Sequence, residues 1–473
     1  MPATSFLVKD MTYNKKLRRK IMLYYSTNKR APKVRFKDAL LKGLAQDGGL
    51  FMPETIPVIS KNELLAMKGL PYTEIAFRVV HKYLSEEIPE EELRKLVNDA
   101  YNYTVPLEKV FNRSYVMRLD QGPTASFKDF AARLMGRLMQ YYLSLNQNKL
   151  LILTATSGDT GSAIANAFYG LDNIRVVVLF PKTEVTARQR KQMTTLGKNV
   201  EIISIDGKFD DCQALVKKAF TDQKLEHLPL SSANSINIGR LIPQIVYYFY
   251  AYASLFEKEA DEIIFSVPSG NFGDLMGGLL AKRMGLPVGK FVVSTNENDE
   301  FPRYVETGEY HVISPSRNCI SSAMNVGHPS NVARLIALYG GEMNEKGEML
   351  QPADLEKLRQ DMYAVSISDI QTELTISKEW REHRLLLEPH GAVGWAGLMN
   401  YLHRHPQDTE KLCVSLETAH PAKFPEKIQE LLSFDPELPP SLQGLEEKRE
   451  YITTLDLDYQ IFARHLLENY SDC

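Results

Sequence analysis

Short apolar runs rich in strand formers recur through the middle of this chain, and helical patterns separate them. The runs are "LLILTAT" (150–156), "RVVVLF" (175–180), "VEIISI" (200–205), "EIIFSVPSG" (262–270) and "KFVVSTNE" (290–297). Both faces of these segments are apolar, which marks strands covered on both sides, as in a parallel sheet with helices above and below. "RLLLEP" (384–389) and "KLCVSLET" (411–418) are expected to be two more strands. The expected fold class is α/β, with doubly wound parallel sheets. Ligands of such sheets bind outside the C-terminal ends of the strands, so the loops after the strands are where chemistry is sought.

A chain of 473 residues exceeds one common domain. From 36 to 104 the pattern is helical: "FKDALLKGLA", "YTEIAFRVVHKYL" and "EEELRKLVNDAY" repeat apolar residues three and four apart. The expected division is an extension over 1–21, a mostly helical domain over 22–105, a smaller α/β domain over 106–235 and a larger one over 236–473. The extension is basic, without the apolar core of a secretory signal. It reads as a disordered tail, with a presequence or a start at Met22 as the other readings. The formal net charge of -3 gives no electrostatic case for nucleic-acid binding. Four dispersed cysteines fit a reducing compartment, here the cytoplasm. "IVYYFYAYASLF" (245–256) is too short and too rich in tyrosine to span a bilayer, and reads as a buried helix. No histidine–carboxylate set has metal spacing.

Two glycine-bearing loops follow strands and open helices. "TSGDTGSA" (156–163) offers Ser157, Gly158, Asp159 and Thr160 beside free N–H groups, an anion site or simply a tight turn with a cap. "SVPSGNFGDLMGG" (266–278) repeats the design with Ser269, Gly270, Asn271, Phe272, Gly273 and Asp274, and is neither a dinucleotide fingerprint nor a Walker loop. "SANSINIGRL" (232–241) adds Asn234, Ser235 and Asn237, which could cap a helix, and Arg240, which is either solvated or an anion clamp. His390 and His420 read as pocket lining.

Lys128, in "PTASFKDFAARLM" (123–135), stands where a helical pattern begins. A lysine amine forms Schiff bases with carbonyls, and pyridoxal 5′-phosphate joins an aldehyde to a phosphate. On the residues alone, a cofactor lysine and an ordinary helix-start lysine both stay open.

The motifs together resemble the threonine synthases, pyridoxal-phosphate enzymes of fold type II, similar to the tryptophan synthase β chain. The segments that carry the likeness include "KVRFKDALLKGLAQDGGLFMPETIP", "QGPTASFKDF", "LTATSGDTGSAIANAFYG", "ANSINIGRLIPQIVYYF", "VPSGNFGDLMGGLLAKRMGLP", "STNENDEFPRY" and "TAHPAKF". They run from about residue 24 to 430, leaving the last forty or so residues uncovered. The resemblance implies that Lys128 holds the cofactor and that Ser269 to Asp274 cup its phosphate. It also implies that Thr418 faces the ring nitrogen and that Phe127 packs beside the ring. Ser157, Gly158, Asp159, Thr160, Asn234, Ser235 and Arg240 would bind O-phospho-L-homoserine. The implied reaction expels phosphate and adds water to give L-threonine, in a monomer or homodimer. A lyase releasing 2-oxobutyrate and ammonia is the alternative, and a non-catalytic phospholigand-binding protein is more remote. Gln121, Ser126, Asn325 and Glu417 depart from the family's usual residues.

Overall fold

The structure, a computed structural model, describes residues 21–471 apart from 157 and 184; the expected extension therefore lies outside the described residues, but for Ile21. Two sheets carry the chain. The larger has six strands in the order Met362–Ser366, Val288–Thr295, Ile263–Pro268, Leu412–Glu417, Ser114–Arg118 and Leu107–Phe111. Its neighbours pair in parallel, except the last two, which form an antiparallel edge. The smaller has five parallel strands: Thr453–Leu455, Val200–Ile205, Ile174–Pro181, Leu150–Ala155 and Leu230–Ser231. The central strands Leu150–Ala155, Ile263–Pro268 and Leu412–Glu417 are buried at every residue, as their two-sided apolar sequence requires.

The expected boundaries do not follow the sheets. Leu107–Arg118, assigned to the smaller domain, builds the edge of the larger sheet. Thr453–Leu455 and the helix Tyr459–Tyr470, assigned to the larger domain, return to the smaller one, where Phe462 and Leu466 join the core beneath Val177, Leu179 and Ile203. "RLLLEP" is not a strand. Leu385 and Leu387 are buried, but among the described residues the segment pairs with nothing in a sheet, and Glu388 caps the helix Pro389–Arg404 instead. A proline at the first helical position fits that start.

The N-terminal helices Tyr72–Leu84 and Glu90–Ala100 pack with the antiparallel pair Tyr24–Ser26 and Phe51–Pro53 into the same hydrophobic core as both sheets. At the centre runs Ile238–Leu255, buried on nearly every side and in contact with Tyr72–Leu84, the lysine helix Lys128–Ser144 and the helix Gly273–Arg283. It contains the run expected to be a buried helix. Among the described residues no helix is long and apolar enough to cross a membrane.

Candidate active site

Three strands end at one place. Leu150–Ala155 leads to the loop before the helix Asp159–Phe168, Ile263–Pro268 to the loop before Gly273–Arg283, and Leu412–Glu417 to Thr418. Lys128 is the first residue of its helix and faces the gap between them. The backbone fixes that position: Phe127 N–H donates to the Thr418 carbonyl at 2.9 Å, and His420 N–H to the Ala125 carbonyl at 3.0 Å. Lys128 Nζ lies 3.7 Å from Asp159 Oδ2 and 4.7 Å from the centre of the Phe127 ring. Burial pushes the amine below the ordinary lysine range. Asp159 pulls the other way, while Lys423 and Arg240 push it further down.

The loop Ser269–Phe272 is pinned from outside. Ser269 N–H donates to the Ser294 carbonyl, and Asn271 Oδ1 accepts from Ser330 N–H and Oγ–H. Phe272 is left-handed (φ 59°), and no side chain caps the helix it opens. A Cβ at Gly270 would lie 2.9 Å from the Ala323 carbonyl and 3.0 Å from Met324 Cα, so the backbone passes there only as glycine. Asp274 turns inward: Tyr247 and Tyr248 donate to its Oδ1 at 2.5 and 2.7 Å, its Oδ2 has no partner, and burial raises it to about 6.

The first glycine loop divides differently from the expectation. Ser157 lies outside the described residues. The Thr156 hydroxyl accepts from Gly158 and Gly161 N–H. The Asp159 carboxylate faces Lys423 at 2.6 Å and Lys128, and accepts from Gln189 Nε2 at 2.9 Å. Burial opposes its ionisation, but the two lysines hold it well below the usual carboxylate range. A carboxylate held this way does not receive an anionic ligand; Thr160 remains half-buried at the helix start.

Arg240 is 3% exposed, donates to the Ala233 carbonyl and leaves Nε without a partner. Burial lowers it to about 10. No carboxylate pairs with it among the described residues, so it is a desolvated cation with unused donors. Asn234 accepts from Thr154 at 2.5 Å, and the Ser235 carbonyl is held by Asn331 and Arg334.

The histidines are structural. His390 Nε2 accepts from Ala323 N–H, so its ring proton is on Nδ1, 2.5 Å from the Glu388 carboxylate. His420 Nδ1 accepts from Ala422 N–H, and burial lowers the ring to about 4. Of the unusual residues, Gln121 is exposed and donates to Asp120, and Asn325 exchanges hydrogen bonds with the Cys319 backbone and accepts one from Asn296 Nδ2. Ser126 is buried with its hydroxyl unpartnered. Glu417 is fully buried, and burial beside Glu388 pushes it well above the usual range despite Arg118.

Comparison with known proteins fits this geometry. A family model described as "Threonine synthase N terminus" matches residues 23–101, "Pyridoxal-phosphate dependent enzyme" matches 104–417 and "Threonine synthase, C-terminal" matches 391–465. The threonine synthase of Haemophilus influenzae is 38% identical over 453 residues, covering 95% of this chain and 100% of that one. The chain belongs to the threonine synthase family. The family likeness thus extends through the C-terminal segment that the sequence motifs left uncovered. Among solved structures, pyridoxal-phosphate-bound threonine synthase from Brucella melitensis is 36% identical with a TM-score of 0.88, covering 95% of this chain and 99% of that one. The yeast enzyme is 30% identical with a TM-score of 0.87, covering 95% and 99%. A likeness to tomato threonine deaminase, at 16% identity and a TM-score of 0.53, describes the fold alone.

The threonine synthase family uses pyridoxal 5′-phosphate, and the residues present fit it. A buried amine, an uncapped helix N-terminus behind a glycine loop, and a Thr418 hydroxyl with no hydrogen bond among the described residues match an aldehyde, a phosphate and a ring nitrogen. Sequence reasoning missed Lys423, Asn331 and Arg334. "TAHPAKF" was the only signal for Lys423; nothing local marked the other two.

Proposed function

We propose that this chain converts O-phospho-L-homoserine and water to L-threonine and phosphate. The observation that carries the reading is the pair formed by the buried Lys128 amine and the unpaired Arg240 guanidinium, at the meeting point of two glycine loops. Lys128 would hold the cofactor aldehyde, Ser269–Gly273 its phosphate, and Thr418 its ring nitrogen, with Phe127 alongside. When bound, the cofactor supplies an electron sink for negative charge at the substrate Cα. Lys128 Nζ takes the Cα proton and later returns it, a role that suits an amine lowered by burial. Arg240, with Ser235, Asn234, Thr160 and the amide of Asp159, binds the substrate's anionic ends. The cytoplasm fits the buried cysteines Cys212, Cys319 and Cys413, which form no disulfide among the described residues, and a monomer or homodimer is the assembly we infer.

Incubation with O-phospho-L-homoserine tests the reaction. Phosphate and threonine should appear in equal amounts. Phosphate accompanied by 2-oxobutyrate, with no threonine, would replace this reading with the lyase. Arg240→Met should raise KM by about 10- to 100-fold, the equivalent of about 1.5–3 kcal/mol for a hydrogen bond to a charged group. Steady-state kinetics reads it, and an unchanged KM removes Arg240 from the anion site.

A further inference from the structure

Lys423 is the second lysine of this site. It ends the short turn Pro421–Lys423 after the strand Leu412–Glu417, and its side chain is 0% exposed. Its Nζ lies 2.6 Å from Asp159 Oδ1 and donates to the Thr124 carbonyl at 2.8 Å. Asp159 begins a helix of the smaller sheet, while Thr124 lies in the loop that enters the lysine helix. One buried ammonium therefore ties both flanks of Lys128 to the end of a strand of the larger sheet.

The distances decide what Asp159 does. It is the carboxylate nearest in effect to Lys128, and it has two cations to choose from, at 2.6 Å and 3.7 Å. Gln189 Nε2 donates to the same Oδ1 that Lys423 meets. The second oxygen reaches Lys128 only at ion-pair range, without a hydrogen bond. An amine locked in a tight pair with a carboxylate stays protonated and is neither base nor nucleophile.

We propose that Lys423 is a positioning residue for Lys128: by holding Asp159 it keeps that carboxylate from capturing the Lys128 amine. The inference rests on the reading of Lys128 as the cofactor lysine. The other charged groups facing Lys128 are Arg240 from the central helix, Glu388 from the cap of Pro389–Arg404 and Asp274 from Gly273–Arg283. Arg240 works in the same direction as Lys423. Glu388 is engaged by His390 and by two backbone N–H groups, and Asp274 by two tyrosines. Asp159 is thus the anion whose pairing Lys423 controls.

The test uses the full chain stripped of cofactor. Lys128 is acylated with an amine-selective reagent over a range of pH, and peptide mass spectrometry reads the extent. Lys423→Met should move the half-labelling pH of Lys128 upward by about one unit or more, the effect of an opposite charge at this range. Lys423→Gln keeps a donor for Thr124 without the charge, and should move it in the same direction if the methionine variant does not fold. Lys423→Arg should stay near wild type. A wild-type midpoint in a folded Met or Gln variant overturns the proposal. Protection of wild-type Lys128 by pyridoxal 5′-phosphate is scored separately: its absence sinks the cofactor-lysine reading, whatever the midpoints do.

Discussion

Lys128→Ala should lower kcat by about 10³-fold or more, since both the proposed attachment point of the cofactor and the amine proposed to move the Cα proton are lost. The protein should fold. Among the described residues the Lys128 amine makes only an ion-pair contact to Asp159 and a ring contact to Phe127, and the helix start is held by backbone bonds from Phe127 to Thr418 and from His420 to Ala125. Thermal unfolding should therefore change little, while phosphate release from O-phospho-L-homoserine stops and the protein no longer carries the cofactor's visible absorbance. Lys128→Arg should be just as inactive, because a guanidinium keeps the charge but does not give up its proton in this pH range. Wild-type turnover by either variant would remove Lys128 from the reaction.

The place of Lys128 at a helix start was legible because it is local; on the residues alone its role stayed open, and only the family resemblance implied it. A lysine at a helix start and two glycine loops after strands can be read from the residues that form them. The strands behind them were legible for the same reason: a run such as Ile263–Pro268 has no polar face to expose. "RLLLEP" shows the limit of that signal. Leu385 and Leu387 are as buried as strand residues, yet only the Glu388 cap and Pro389 show that a helix follows. Apolar content measures burial, not pairing. The edge Leu107–Arg118 failed for the opposite reason. Its residues are mostly half-buried, and the partner that defines its sheet, Leu412–Glu417, is remote in sequence. Asp159 was read as an anion binder from its place in a glycine loop, but its charge is answered by Lys423, which arrives from the far end of the chain.

Arg334 carries this non-locality furthest, and Arg334→Met should be the most damaging change outside the groups that touch ligand. The arginine is 0% exposed on the short helix Val332–Leu338, and burial lowers it to about 9. Among the described residues it has no carboxylate partner. Its guanidinium donates instead to the carbonyls of Phe51 at 3.1 Å, Ser235 at 3.2 Å and Ile236 at 2.7 Å, and to Asn331 Oδ1 at 2.6 Å. Asn331 in turn donates to the Asn271 carbonyl at 2.9 Å. One side chain thus joins the N-terminal domain to the loop proposed for substrate, and through Asn331 to the loop proposed for the cofactor phosphate. Methionine fills the space and relieves the cost of burying a charge, but it leaves the Phe51 and Ile236 carbonyls without these donors. The net loss should be about 2–4 kcal/mol. A lower thermal midpoint should come with a KM raised about tenfold, because Ser235 loses one of the two donors that hold its carbonyl. Arg334→Lys should recover little of either, since one ammonium does not reach four acceptors in a planar fork. If the methionine variant lost stability but kept wild-type KM and cofactor affinity, Arg334 would be a brace for the N-terminal domain alone, and the coupling of the two loops through Asn331 would have to be abandoned.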